Sequence, residues 1–305
     1  MVAILQAVFS GLALGGIYAL VALGFNITHS TTKTLNFGQG ELLAAGTIIA
    51  VSGVMLLAGK GMHGTLDPQD VTLWRYAVSL LISVVVLGLL GVLLYYTAVR
   101  PFIGLGGLSW VMSTLGFGII IQNTALAIWG PSAMVIPSPL GDNVIRIGGA
   151  GVLPQEILVV AASVVVMLCL DTVMRKTKIG KAVRAVAHNK NAATLMGINV
   201  PAVVVLAFAI SSGLAGLAGV LIAPITTASV FMGLSIALKA FSAAIVGGLN
   251  NARGCMLGGF LLGLVESMVG LWHAELREIS IFMLIILVLV LKPEGLLGTR
   301  VAEKV

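Results

Sequence analysis

Long apolar runs separated by short polar stretches make up nearly the whole chain. The runs fall near 5–27, 40–58, 76–98, 109–129, 155–174, 201–223, 236–249, 255–272 and 279–291. In lipid every backbone N–H and C=O needs an internal partner, so a spanning segment is either a helix or part of a closed barrel. These runs far exceed the roughly 10 residues of a barrel strand, and they predict helices. The seventh and ninth are shorter than the ~20 residues of a full crossing. The expected fold is therefore all-α: a polytopic membrane bundle of eight or nine transmembrane helices, some short or broken, in a single transmembrane domain over 1–305. The longest loop on one side, 130–154, carries four prolines and several glycines and reads as a turn-rich cap rather than a helix.

One polar island breaks the pattern. Residues 175–200 hold Arg175, Lys176, Lys178, Lys181, Arg184 and Lys190, with no Asp or Glu. Short basic loops between spans stay on the cytoplasmic side. Assigned on that basis, the cytoplasmic segments also hold Lys33, Arg100, Arg253, Lys292, Arg300 and Lys304. The opposite side holds only Lys60, Arg75, Arg146 and Arg277, with Asp67, Asp70, Asp142, Glu275 and Glu278. This asymmetry accounts for the net charge of +6 without any nucleic acid as a partner. Within the island Ala182, Val183, Val186 and Ala187 share one helical face between Gly180 and Gly197. The reading is one short helix presented to the cytoplasm, with the form of a docking surface.

Composition closes off the soluble alternatives. The chain is 59% hydrophobic and 9% charged, against about 25% charged in soluble domains. The first apolar run is long enough to span and remain in the membrane, so no removable signal peptide is expected. Gly59-Lys60-Gly61 lacks both the upstream glycine and the following Ser/Thr of a phosphate-binding loop. His29, His63, His188 and His273 are scattered without metal-ligand spacing, and Cys169 and Cys255 lie inside apolar runs, where small buried thiols are expected. No catalytic residue, metal or cofactor is implied, and any energy source must come from another chain.

The polar groups at membrane depth are few. Asn36, Gln39 and Glu41 enter the second run, where Gly38 and Gly40 would break or kink a helix. Gln122 and Asn123 lie deep in the fourth run, Lys239 in the seventh and Glu266 in the eighth. Intramembrane ionisable groups are costly and point to function, and broken polar backbone is tolerated only inside protein or along a cavity. These seven residues are the candidate translocation pathway, a sparse set that suits a neutral or zwitterionic solute. Pairing of Lys239 with Glu266 is one arrangement; snorkelling of Lys239 and internal packing of Glu266 are the others. Small-residue spacing at Gly213, Gly216 and Gly219, and at Gly254, Gly258, Gly259 and Gly263, predicts close helix packing.

Four segments carry a family likeness. Asn36-Phe37-Gly38-Gln39-Gly40-Glu41-Leu42 is similar to an Asn-Phe-Ala-His-Gly-Glu stretch, with Gly38 and Gln39 in place of Ala-His. Gly180, Ala182, Arg184, Ala185, Ala187, Asn189, Ala192, Ala193, Leu195, Gly197 and Ile198 fit a G-x-A-x-R-A-x-A-x-N-x-x-A-A-x-L-x-G-I pattern. Leu238 to Glu266, with its glycines, and the tail Lys292-Pro293-Glu294-Gly295-Leu296-Leu297-Gly298 complete it. Over nearly its full length the chain resembles the permeases of branched-chain amino-acid ABC importers, the Liv type. The resemblance implies a multi-pass protein of the bacterial inner membrane with its coupling loop and C-terminus cytoplasmic. It implies a second permease subunit, two cytoplasmic ATP-binding subunits and a periplasmic solute-binding protein as partners. Gly180, Lys181, Arg184, Asn189, Ala192, Ala193 and Gly197 would then belong to the coupling helix that docks on the ATPase. The other reading of the same residues is a stand-alone secondary transporter or channel for a small neutral or zwitterionic solute. That class needs a coupling-ion site, for which only Glu41 and Glu266 are at hand.

Overall fold

The computed structural model describes residues 2–61, 64–102, 109–141 and 143–298. Of the residues named above, His63, Asp142, Arg300 and Lys304 lie outside the described residues. Each of the nine apolar runs is helical. The elements are α1 (Val2–Thr32), α2 (Gln39–Leu57), α3 (Leu73–Leu94), α4 (Ser109–Trp129), α5 (Pro154–Lys176), α6 (Lys178–His188), α7 (Lys190–Leu195), α8 (Val200–Ile222), α9 (Gly233–Gly247), α10 (Ala252–Gly270) and α11 (Arg277–Leu291). Beyond α3 the chain continues through a π turn, Tyr95–Val99, and a 3-10 turn, Arg100–Phe102. Seven of these helices are long and apolar enough to cross a membrane, and α9 is a shorter apolar helix. The 130–154 loop forms no helix, but it does contain a hairpin, β1 (Ile145–Ile147) antiparallel to β2 (Ala150–Val152), with Ile145 opposite Val152. Gly148 and Gly149 supply its turn, both at positive φ.

The hairpin and α6 mark opposite ends of the bundle. Val2 and Leu5, at the start of α1, lie against Gly149 and Gly148 of the hairpin, while the other end of α1 packs on α6. The helices then alternate in direction, and α9 crosses only part of the bundle, which explains the short seventh run. Both α2 and α9 begin inside the bundle. The Gln39 side chain donates to the carbonyl of Ser211, midway along α8, and the Gly233 backbone meets that of Gly40. From there α9 descends to the α6 side, where Gly247 packs on Gly254 of α10. The stretch before α9 is not helical, and on the hairpin side it is tied by the bridge Met134–Ala228. One crossing is thus built from two halves, with irregular backbone enclosed by protein.

α1 is the axis of the core, with Ile17, Leu20, Leu23 and Phe25 fully buried. It packs on α5, α8, α9 and α10. The glycine spacing resolves into two faces of α10. Gly259 and Gly263 face Ala19 and Gly15 of α1, and Gly11 faces Gly263 in return, so two small-residue rows run antiparallel to each other. Gly254 and Gly258 face Gly247 and Ala243 of α9. On α8, Gly216 and Gly219 admit Ser83 and Leu87 of α3 and Leu43 and Thr47 of α2. Gly213 has only ordinary van der Waals space around it, so a side chain there would meet no close neighbour. Hydroxyls close the remaining gaps: Ser79 and Ser83 of α3 donate to the carbonyls of Ala50 and Gly46.

Candidate functional site

The basic island is two helices, not one. Thr177 caps α6 by accepting from the Gly180 N–H at 3.1 Å, and Gly180 sits so close to Val173 and Met174 that any side chain there would strike α5 backbone. Val183 and Val186 are buried, which anchors α6 on the bundle. At Asn189 the backbone is extended and the helix breaks. Its side chain accepts from the Ala192 N–H at 3.0 Å and starts α7, the capping role for which Asn is suited and the reason one continuous helix does not form. Gly197, at φ 81°, ends α7. Its N–H reaches Thr194 O at 3.0 Å, and the Ile198 N–H reaches Ala193 O at 3.0 Å, a Schellman pair that places a glycine at the left-handed position.

This capped pair fixes what faces solvent. Gly180 and Ala193 are buried against the bundle, while Lys181, Arg184, Asn189, Ala192 and Gly197 are exposed. The most exposed large side chains here are Leu195 at 88% and Met196 at 83%. Two exposed apolar side chains at the tip of a basic loop are the feature that sequence reading passed over; Leu195 counted there only as a pattern position. Burial, together with the neighbouring Lys33 charge, lowers the Lys190 ammonium from its ordinary value.

Behind α6 lies a cavity of about 550 Å3, walled by α1, α5, α6 and the start of α10. Asp171 spans it: its carboxylate takes Arg175 Nε at 3.0 Å on its own helix and Arg253 Nη2 at 2.9 Å on α10. Arg184 also lines this space and donates to the Arg175 carbonyl at 3.4 Å.

The polar residues at membrane depth do not form one site. Asn36 and Gln39 belong to a closed network: Asn36 Nδ2 donates to Gln39 Oε1 at 3.2 Å, Ser211 Oγ donates to the same oxygen at 3.1 Å, and Asn36 Oδ1 accepts from the Gly38 N–H at 3.1 Å. Both side chains are buried, so this network is the joint that seats the start of α2. Gln39→Ala leaves Asn36 Nδ2 and Ser211 Oγ without the oxygen they donate to and is expected to cost about 1–3 kcal/mol. The check is thermal unfolding of the purified protein in detergent, and an unchanged midpoint would refute the joint.

Gln122 and Asn123 stand apart on α4. Asn123 is exposed and donates to its own helix at Ile119 O, 2.8 Å away. Lys239 and Glu266 do pair, Nζ to Oε1 at 2.6 Å, and Tyr18 of α1 donates to Glu266 Oε2 at 2.8 Å. Glu41 joins neither group. It lies where α2, α4 and α9 meet, next to Gly118 and Gly233, and its buried Oε2 has no hydrogen-bond partner. A further buried carboxylate, Glu156, accepts from Ser10 at 2.6 Å and caps α5 through the Leu153 N–H. Its place three residues into a helix opened by Pro154 was a readable capping signal. The phosphate-loop decoy is accounted for too: Lys60 pairs with Asp70 at 2.6 Å and Asp67 at 2.9 Å, and its hydrogen bond holds the Asp70 carboxyl below the usual range.

Comparison with known proteins agrees with this architecture. The family described as branched-chain amino acid transport system / permease component matches residues 7–291. The chain is 31% identical to the high-affinity branched-chain amino acid transport system permease protein BraD of Pseudomonas aeruginosa, covering 99% of this chain and 98% of the relative. It is 29% identical to LivH, of the same description, from Escherichia coli K12, covering 99% and 97%. It is 28% identical to a probable branched-chain amino acid transport permease protein LivH of Methanocaldococcus jannaschii, covering 84% and 78%. The chain is a multi-pass membrane protein and belongs to the family of branched-chain amino acid transport system permease components.

Proposed function

We propose that this chain is the transmembrane permease subunit of an ATP-binding-cassette importer for branched-chain amino acids or related small solutes. The observation that carries the coupling is the Leu195–Met196 tip, held away from the bundle by the two capped helices α6 and α7. Apolar side chains placed this way are covered when a partner docks. The positive-inside rule puts α6 and the C-terminal tail in the cytoplasm, and the hairpin and the start of α1 outside, in the bacterial inner membrane. The partners are two cytoplasmic ATP-binding subunits under the tip, a second permease subunit alongside, and a solute-binding protein on the hairpin side.

Force has a direct route from the tip. α6 rests through Gly180 on the end of α5, so closure of the ATPases moves both together. Asp171 links α5 to Arg253 at the head of α10, and the cavity behind α6 gives these parts room to move. The glycine rows between α10 and α1 then act as a sliding surface between outward and inward openings. A stand-alone transporter fits less well. Glu41 and Glu266 sit in separate places, and Glu266 is already paired with Lys239.

The test is coupling in the assembled complex. Arg184→Glu and Gly197→Val should each reduce solute-stimulated ATP hydrolysis at least about fivefold. The second places a β-branched residue at a left-handed position, a strain of about 1–2 kcal/mol. Membrane insertion, read by protease accessibility, should not change. Full stimulation in both variants would remove α6–α7 as the docking element.

A further inference from the structure

We propose that Glu41 is the site that receives the ammonium group of a zwitterionic solute in mid-membrane. The assignment rests on the importer reading above and adds a specific contact to it.

Four observations converge on this side chain. First, the intramembrane carboxylates of Glu266, Glu156 and Asp171 all have donors: Lys239 and Tyr18, Ser10 and the Leu153 N–H, and Arg175 and Arg253. Among the described residues Glu41 is the carboxylate with a buried oxygen and no partner. An acid left unpaired at this depth is costly, and the cost is removed by a cation that arrives with function. Second, Glu41 as a residue is only half-buried, although its unpartnered Oε2 is covered. Third, three glycines let α2, α4 and α9 approach closely at this side chain. A side chain on Gly233 would come within 2.9 Å of Glu41 Oε2, one on Gly118 would press on its Cγ at 3.1 Å, and one on Gly40 would strike the α9 backbone. Fourth, the helices break here. α2 and α9 both start at this level, the arrangement in which irregular backbone lines a solute path.

The surroundings suit an amino acid with an apolar side chain. Phe37, four residues before Glu41, stacks on Trp110 of α4 at 6.4 Å and meets Phe241 of α9 at 5.8 Å. The ammonium pairs with Glu41, and the half-buried rings lie further toward the α6 side: Trp110 is eight residues from Gly118 on α4 and Phe241 eight from Gly233 on α9, roughly 12 Å along each helix. Lys239 does not compete for this role, because its ammonium is held by Glu266.

The experiment uses the full complex of permeases, ATPases and binding protein in proteoliposomes, with L-leucine as the probe. Glu41→Gln should lower ATP-driven uptake more than tenfold, with the complex assembled and no fall in thermal midpoint; Glu41→Asp should retain part of the uptake. Uptake by Glu41→Gln within twofold of wild type overturns the assignment, as does a drop that only follows a loss of stability. A second reading uses the wild-type complex alone. Labelling of Glu41 by a hydrophobic carbodiimide, read by mass spectrometry during turnover, should fall severalfold with L-leucine, and equal labelling overturns the assignment. A wild-type complex that hydrolyses ATP without moving L-leucine defeats the amino-acid importer reading on which the assignment rests. A wild type that transports beside an unimpaired Glu41→Gln defeats the Glu41 assignment alone.

Discussion

Lys239→Ala will destabilise the bundle by about 3–5 kcal/mol, the cost of leaving a buried charge without its partner. The Lys239–Glu266 pair joins α9 to α10 at 2.6 Å, with side-chain exposures of 18% and 7%. Tyr18 ties the same carboxylate to α1, so one acid fastens three helices. Removing the lysine strands that carboxylate in an apolar surround. The Glu266→Gln single variant strands the ammonium instead. The double variant Lys239→Met/Glu266→Gln carries no charge, keeps an acceptor for Tyr18, and should recover most of the loss. Denaturant unfolding in mixed micelles measures all three. Equal instability of single and double variants would mean that side-chain shape, not charge pairing, holds this point together.

The second large effect is expected at the cytoplasmic tip. Leu195→Asp with Met196→Asp should weaken association with the ATP-binding subunits by roughly 10²–10⁴-fold. Burying each of these side chains contributes about 1.5–3 kcal/mol, and every 1.4 kcal/mol is tenfold in affinity. Neither side chain packs on its own chain, so the permease itself should fold and insert as before. The readout is binding of purified ATP-binding subunits to the permease in nanodiscs. Wild-type affinity for the double variant would move the docking surface elsewhere, with the basic residues Lys181 and Arg184 as the next to test.

Local pattern revealed much of this structure. The nine apolar runs are helices because lipid leaves the backbone no other choice, and the island at 175–200 was visible from charge alone. What was missed depends on contacts between distant parts of the chain. Gly38 and Gly40 signalled a break before α2, yet nothing local said that Gly233 would seat α9 on the same spot. Tyr18 looked like one more aromatic in a long apolar run, and its partner Glu266 lies 248 residues away. Gln39, read as a pathway group, is used up by Asn36 and Ser211, which only the fold brings beside it. The split of α6 from α7 was readable in principle: Asn189 is a strong cap, but the alanines on either side kept the helical pattern running through it.

The half-crossing by α9 also bears on how the chain is made. A translocon sorts segments one by one on hydrophobicity, and α9 offers it only 15 residues with a lysine inside. The acid that neutralises that lysine emerges 27 residues later, and the backbone that seats the start of α9 was synthesised nearly two hundred residues earlier. This segment therefore takes its place after its neighbours have been released into the bilayer, by assembly against α2 and α10 rather than by partitioning into lipid. Its position is settled only once α10 has followed it out.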